Sequence, residues 1–486
     1  MDLFIDPTQP RAITRSLYDQ IRAAIASGRI SAGEQMPPSR QLAQELGVAR
    51  QTIATVYGRL TAEGHVIGRG AAGTFVAPTA DAHRPARADR TRSSALAPRP
   101  GLPETADPEF QPTGLDLRSG TPDLALFPHV AWRRAVLAAA HQPPSGYGAY
   151  AGLPELRRTL ARLASRTRGV VADPDQIVVT AGAQSAIDLT IRLLTVPGDT
   201  VAVEEPGYLP VRRLIESLDR RVALVPVDAD GMQPEHVPAR ARLIYTTPSH
   251  QSPTGATLTI ARRRALLSYA DRHHQAIIED DYDSEYRHTD RPLEPLHLLD
   301  TTGRVVYVAT FSKTLAPSLR LGYAVFPVEL ARHAAALRAA SDVQPPELLQ
   351  RAIHHLITTG DLDRHLRRSR KIYAKRHQLV ADWVARMSTA GHLTPCATDH
   401  AGLHLTVRLH NITEEELAAR LEPHGIRLGS YRDTWAKTPD HDGAVIGFGN
   451  ADSSDLEAAL SRVEHALASP PPRPRSSTVT SLDRSR

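Results

Sequence analysis

Short runs rich in β-branched residues alternate, along the middle of this chain, with stretches of helical spacing. The runs are 176–180, 200–203, 221–225, 243–245, 276–279 and 305–309; helical patterns include Leu153 to Arg166 and Ala183 to Leu194. Alternating strand and helix implies an α/β layer built on a mostly parallel sheet. Toward the C-terminus helical patterns lengthen and strands thin out, which points to a smaller α+β unit completing the α/β one.

That pattern does not fill the chain. At 486 residues the sequence is too long for one ordinary domain, so two or three units are expected. Between 81 and 115, Pro85, Pro98, Pro100, Pro103, Pro108 and Pro112 fall among Ala, Arg, Thr and Ser, and no apolar period survives. This reads as a linker, partly polyproline II. From Pro470 a Pro- and Arg-rich stretch reads as a disordered basic tail. The division expected is 1–80, the linker 81–115, a body 116–469 and the tail 470–486.

No run of apolar residues is long enough for a transmembrane helix, and the first residues lack the pattern of a signal peptide. The single cysteine, Cys396, excludes disulfide frameworks and Cys-based metal fingers, and no metal site is expected. The cytoplasm is the expected compartment. A net charge of +5 is modest for this length and does not by itself argue for nucleic acid. Lysine is scarce: only Lys313, Lys371, Lys375 and Lys437 occur, so a lysine inside a motif carries weight.

In the N-terminal unit, Leu17, Ile21, Ala24 and Ile25 share a helical face. Pro37-Pro38-Ser39 starts a second helix with Ser39 as its N-cap, and Gly47 ends it. A third helix runs from Arg50 to Glu63, with Ile53, Val56, Tyr57 and Leu60 inward. His65 to Val76, punctuated by Gly68, Gly70 and Gly73, reads as a hairpin. Three helices and a hairpin make a winged helix-turn-helix. Arg50, Gln51 and Thr52 open the recognition helix, where Arg can fork onto guanine and Gln onto adenine. Ser39 and Arg40 can bond phosphate, and Arg69 in the wing can reach phosphate or the minor groove. Residues 36–43, 46–53 and 60–64 resemble the GntR-type DNA-binding domain. In the wing, Gly70-Ala71-Ala72-Gly73 replaces the shorter glycine turn usual there.

In the body, Val308-Ala309-Thr310-Phe311-Ser312-Lys313 sets a lysine just past a strand end, where α/β sheets bind ligands. Arg320 follows, and Ile277-Ile278-Glu279-Asp280-Asp281-Tyr282 is an apolar strand ending in acids. An amine, a carboxylate and phosphate donors suit pyridoxal 5′-phosphate, PLP. The set resembles fold-type I aminotransferases. That resemblance implies Lys313 as the Schiff-base lysine, Arg320, Thr310 and Ser312 as phosphate contacts, and Asp280 as partner of the ring nitrogen. Tyr282 then bonds the ring O3′. Strand parity favours Asp280 over Asp281, because 280 and 282 share a face. The turn at Gly182 and Ala183 is implied to cradle phosphate, Tyr208 to stack on the ring, and Tyr147 to reach the partner subunit's phosphate. Ser252 stands where transaminases usually carry Asn, so Tyr282 is left to hold O3′ alone.

Thr247-Pro248-Ser249-His250-Gln251, the segment 280–286 and Ser312-Lys313-Thr314-Leu315-Ala316-Pro317 resemble the MocR branch of GntR regulators. The resemblance implies a homodimer, often head-to-tail, binding a double-stranded DNA operator and using PLP as a sensor group for an amino compound. A working aminotransferase, and a regulator of vitamin B6 supply that senses PLP alone, are the alternatives. Aminotransferases clamp a carboxylate with an arginine on a strand near the C-terminus. The matching strand, 443–449, has none; Val445 takes the place, with Arg427 and Arg432 nearby and Asp433 available to neutralise Arg432.

Overall fold

The computed structural model describes residues 13–78, 114–143, 146–288, 294–397 and 401–469. The tail and nearly all of the linker lie outside them. The chain divides into two compact units, Met1–Pro100 and Gly101–Arg486.

The first unit packs α1 (Ile13–Ala26), α2 (Ser39–Leu46) and α3 (Arg50–Ala62) against a hairpin of β1 (Val66–Gly68) and β2 (Thr74–Val76). Ile53, Val56, Tyr57 and Leu60 recur at the spacing of one helical face and are buried, so α3 faces Leu17, Ile21 and Leu42. Gly47, at φ 66°, ends α2 in the left-handed conformation that a Cβ disfavours. One sequence expectation is corrected. Pro38, not Ser39, holds the N-cap position, and Ser39 is the first residue of α2 with no side-chain cap bond at that end. Proline's fixed φ suits the turn into a helix.

The second unit opens with β3 (Leu115–Leu117), α4 (His129–Ala140) and α5 (Pro154–Arg168). Strands and helices then alternate through β4 (Ile177–Thr180), α6 (Ala183–Leu194), β5 (Thr200–Glu205), α7 (Leu209–Ser217), β6 (Arg221–Asp228), β7 (Gly231–Met232), β8 (Ala241–Thr246) and α8 (Ile260–Arg272). β9 (Ala276–Asp281), α9 (Leu296–Leu299), β10 (Val305–Thr310) and β11 (Gly322–Val325) complete the layer. Its strand order is β4-β11-β10-β9-β8-β5-β6-β7. β11 runs antiparallel to both its neighbours, β10 and β4. Val305, Val306 and Val308 in β10 and Ile277 and Ile278 in β9 are fully buried. Each such side chain stabilises the fold by about 1.5–3 kcal/mol relative to exposure.

Three helices follow: α10 (Val328–Ala339), α11 (Glu347–Thr358) and the long α12 (Asp361–Thr389). A second sheet uses β12 (Leu393–Pro395), β13 (His404–Leu409), β14 (Ile426–Ser430) and β15 (Gly443–Gly447), with α13 (Glu414–Leu421) and α14 (Ser453–Ala468). Its order is β12-β13-β15-β14-β3. The last strand is the unexpected one: Leu115 falls within the linker expected from sequence, yet β3 pairs parallel with β14, Leu115 opposite Ile426 and Leu117 opposite Leu428. Gly114 permits the approach, because a Cβ there would fall 2.0 Å from the Gly425 carbonyl oxygen. The smaller sheet is therefore made from both ends of the body, not from its C-terminal end alone.

Candidate functional site

The C-terminal ends of β9 and β10, the start of α6 and residues of β13, β14 and β15 in the smaller sheet surround a cavity of about 510 Å³. β9 sets its two terminal acids on opposite faces. Asp280 faces the cavity, and its Oδ2 accepts from the Tyr245 hydroxyl at 2.8 Å. Asp281 faces away and is held by Arg168 Nε and the Tyr307 hydroxyl, each at 2.6 Å. Burial pushes Asp281 up, but Arg168 and Tyr307 outweigh it and hold its carboxyl below the ordinary range. Asp280 has no cation bonded to it, and Lys313 lowers it only through space. Burial pushes it up to about 7, against the Tyr245 hydrogen bond and with a contribution from Asp281. Its Oδ1 is buried and lacks a hydrogen-bond partner. A buried carboxylate oxygen left in that state costs free energy until a donor arrives.

Lys313 lies three residues past the end of β10 and turns its amine into the same cavity, donating to the Gly120 carbonyl. Burial draws its pKa below the ordinary value; Asp283 and Asp280 oppose the shift and Arg320 adds to it. A buried amine so placed is a better nucleophile than a free lysine.

At one end of the cavity Arg320, at φ 47°, donates Nη2 to the Ala181 carbonyl at 2.9 Å. Its guanidinium lies 3.3 Å from where a Cβ of Gly182 would stand, so Gly182 leaves room for it. Ala183 begins α6, whose first-turn N–H groups have no acceptor within the helix. Thr310 Oγ1 and Ser312 Oγ are 3.0 Å apart beside Arg320 in the cavity wall. Fixed donors, a guanidinium and a helix N-terminus make an anion cradle.

Tyr208, Tyr282 and Ser252 also line the cavity. Tyr147 does not: the residue is 79% exposed, and its backbone oxygen accepts from Gln344 Nε2 at 2.6 Å. Val445 is in the wall, whereas Arg427 and Arg432 are not. Arg432 pairs with Glu415 and Asp442, not with Asp433 as the sequence suggested. Sequence reasoning missed Tyr245, Arg118 and Gly120, which enter from distant segments and carry no motif of their own. It also passed over His250 and Asp283, although both stand inside quoted motifs.

In the first unit, Arg50 and Gln51 are exposed at the start of α3, while Thr52 is half-buried and its N–H is bonded to Ala49. Ser39 and Arg40 occupy the first turn of α2, and Arg69 lies over the Phe75 ring at 4.8 Å. The helix N-terminal turns thus keep polar and basic side chains free of the unit's core.

The cavity meets the needs of a pyridine aldehyde phosphate. It offers an amine, an anion cradle, and a carboxylate oxygen that awaits a donor such as a protonated ring nitrogen.

Comparison with known proteins agrees with both units. Residues 13–76 match the bacterial regulatory proteins of the gntR family, and residues 112–429 match aminotransferase class I and II. The chain is 34% identical to the probable rhizopine catabolism regulatory protein MocR of Rhizobium meliloti, covering 96% of each. It is 31% identical to the pyridoxine biosynthesis transcriptional regulator PdxR of Corynebacterium glutamicum, covering 96% of this chain and 99% of that one. With the transcriptional regulator TauR of Rhodobacter capsulatus the identity is 33%, covering 88% and 94%. Among solved structures, the kynurenine aminotransferase of Pyrococcus horikoshii superposes with a TM-score of 0.67 at 24% identity, covering 73% of this chain and 90% of that one.

Proposed function

Because this chain belongs to the MocR-type family of transcription regulators, a GntR-type reader joined to an aminotransferase-class body, we propose that its cavity holds PLP and reports its occupancy to operator DNA. The observation that carries the cofactor assignment is the unpartnered, buried Oδ1 of Asp280 in the same cavity as the Lys313 amine. When bound, the cofactor supplies an aldehyde carbon for reversible attachment of amines and a ring that withdraws electrons from it. Lys313 offers the amine that anchors it. Asp280 holds a proton on the ring nitrogen, and that cation in turn favours the ionised carboxylate. Arg320, Thr310, Ser312 and the N–H groups at Gly182 and Ala183 hold the phosphate. Tyr208 covers the ring face, and Tyr282 donates to O3′ beside Ser252.

The reader docks α3 in the major groove of double-stranded DNA, with Arg50, Gln51 and Thr52 toward the bases and Ser39, Arg40 and Arg69 on the backbone. The working form is a cytoplasmic homodimer arranged head-to-tail. Tyr147, Val130, Leu137 and Leu348 are large apolar side chains exposed on the body, and a second copy would cover them. Tyr147 then serves the partner's cradle.

The effector is PLP itself or an amine without an α-carboxylate. Val445 in the cavity wall, where an arginine clamp would stand, favours this over a simple amino acid. Two of the related regulators are named for vitamin B6 pathways, pyridoxine biosynthesis and B6 salvage. The test loads purified protein with PLP and follows the visible band and operator retardation together. The band appears in wild type and is lost in Lys313→Ala. A panel of amino acids and simple amines is then added. Exchange of the band with amines but not with α-amino acids, without turnover, supports the sensor. Steady product formation from an amino acid would instead make this a working aminotransferase.

A further inference from the structure

Next to the cavity, three buried side chains from three separate segments meet: His250 after β8, Asp283 after β9, and His404 at the start of β13. His250 Nδ1 is 3.0 Å from Asp283 Oδ2 and 3.1 Å from the Tyr282 hydroxyl. One ring nitrogen presents either a hydrogen or a lone pair, never both. The Asp283 oxygen accepts, so Nδ1 carries the one hydrogen and shares it between Asp283 Oδ2 and the Tyr282 oxygen. Tyr282 therefore cannot donate to His250. Its oxygen is an acceptor there, and Ser252 also bonds it from its side chain. The phenol hydrogen is left for the cavity.

The dyad sits directly against the Gly402 backbone. A Cβ on Gly402 would lie 2.1 Å from the His250 ring and 2.4 Å from Asp283 Oδ2. The His404 ring packs 4.6 Å from that of His250, and His404 Nε2 donates to the Pro253 carbonyl at 2.9 Å. His404 stays neutral, drawn down to about 3 by burial and by His250. The other ionisable groups facing Tyr282 are Asp280 and Glu204, and Lys313 adjoins Asp283. The ligand atoms of His250, Asp283 and His404 lie within 4.8 Å of one another, a spacing a metal ion could use. His250 Nδ1 is already committed to Asp283 and Tyr282 and His404 Nε2 to a carbonyl, so hydrogens account for these contacts.

Resting on the cofactor reading above, we propose that His250 is a positioning residue. Held by Asp283, it fixes the Tyr282 oxygen as an acceptor and so aims the phenol hydrogen at the cofactor's O3′. This supplies, through two hydrogen bonds onto one tyrosine, the restraint on O3′ that Ser252 is too short to give directly. A hydrogen bond to a phenolic oxygen favours its anionic form. Weakening it lets that oxygen share a neighbouring proton more tightly, and the visible band of the loaded protein then titrates at higher pH.

The experiment is a pH titration of that band in full-length, PLP-loaded protein. His250→Ala raises the midpoint by about one pH unit. His250→Phe fills the space without a nitrogen, shifts the midpoint alike, and serves if His250→Ala does not fold. Tyr282→Phe raises it at least as far, and adding His250→Phe to Tyr282→Phe moves it no further. An unmoved midpoint in a band-bearing His250 variant overturns the proposal. So does a His250 shift that persists in full without the Tyr282 hydroxyl, or a wild-type midpoint that moves on chelation, since Nδ1 would then bind a metal. A wild-type protein with no band overturns the cofactor reading and this proposal with it; a normal wild-type band with unmoved variants overturns this proposal alone.

Discussion

Two neighbouring carboxyls on β9 show how much one residue's surroundings decide. Asp281 is matched by Arg168, whereas Asp280 waits in a cavity with an unpartnered oxygen. The folded pKa of Asp280, raised to about 7, lies above its unfolded value. Between those two values the folded chain binds the extra proton, so this group's effect on stability turns unfavourable as pH rises from about 4 to about 7. Asp280→Asn is therefore expected to melt higher than wild type in the cofactor-free protein at pH 8, with the difference vanishing near pH 4. The same variant should fail to form the visible band with PLP. Thermal scans at both pH values, with and without cofactor, check both statements. The alternation of faces along a strand was readable from the order Glu279-Asp280-Asp281-Tyr282, because it needs no tertiary information. The His250–Asp283 contact was not readable. Those residues are 33 apart in sequence, and only the sheet's crossovers bring their loops together.

Among the elements, α3 was legible because four apolar residues recur at helical spacing and its opening turn is polar. Arg50→Ala is expected to weaken specific operator binding by about 1–3 kcal/mol. Arg40→Ala should weaken binding to every sequence and reduce the salt slope by about one ion. Retardation assays with operator and scrambled duplexes over a salt series separate the two. β11 carries a quieter signal: four residues, one a glycine, running antiparallel inside an otherwise parallel neighbourhood. β3 was obscured for a different reason. Three residues are too few for a period, and its partner β14 lies some three hundred residues away along the chain. Leu117 on β3 is fully buried, so Leu117→Ala should destabilise the body by about 2–5 kcal/mol, read from denaturant midpoints.

For the molecule as a whole, two units with separate hydrophobic cores predict separable behaviour. A fragment covering residues 101–486 should keep the visible band with PLP. A fragment covering 1–100 should keep cooperative unfolding yet bind operator far more weakly than the full-length protein, because under the proposed dimer it loses the second half-site. Absorbance, thermal melts and retardation on the two fragments check this. Beyond separability, the seat of β3 has a mechanical meaning. The chain enters the body as an edge strand spliced beside β14, and β14 ends at Gly429 and Ser430 in the cavity wall. A displacement of β3 therefore passes sideways, through a three-residue ladder of backbone bonds, into the rim of the cavity. Conversely, whatever stiffens this rim also stiffens the seat of β3, at the opposite end of the body's sequence from α14.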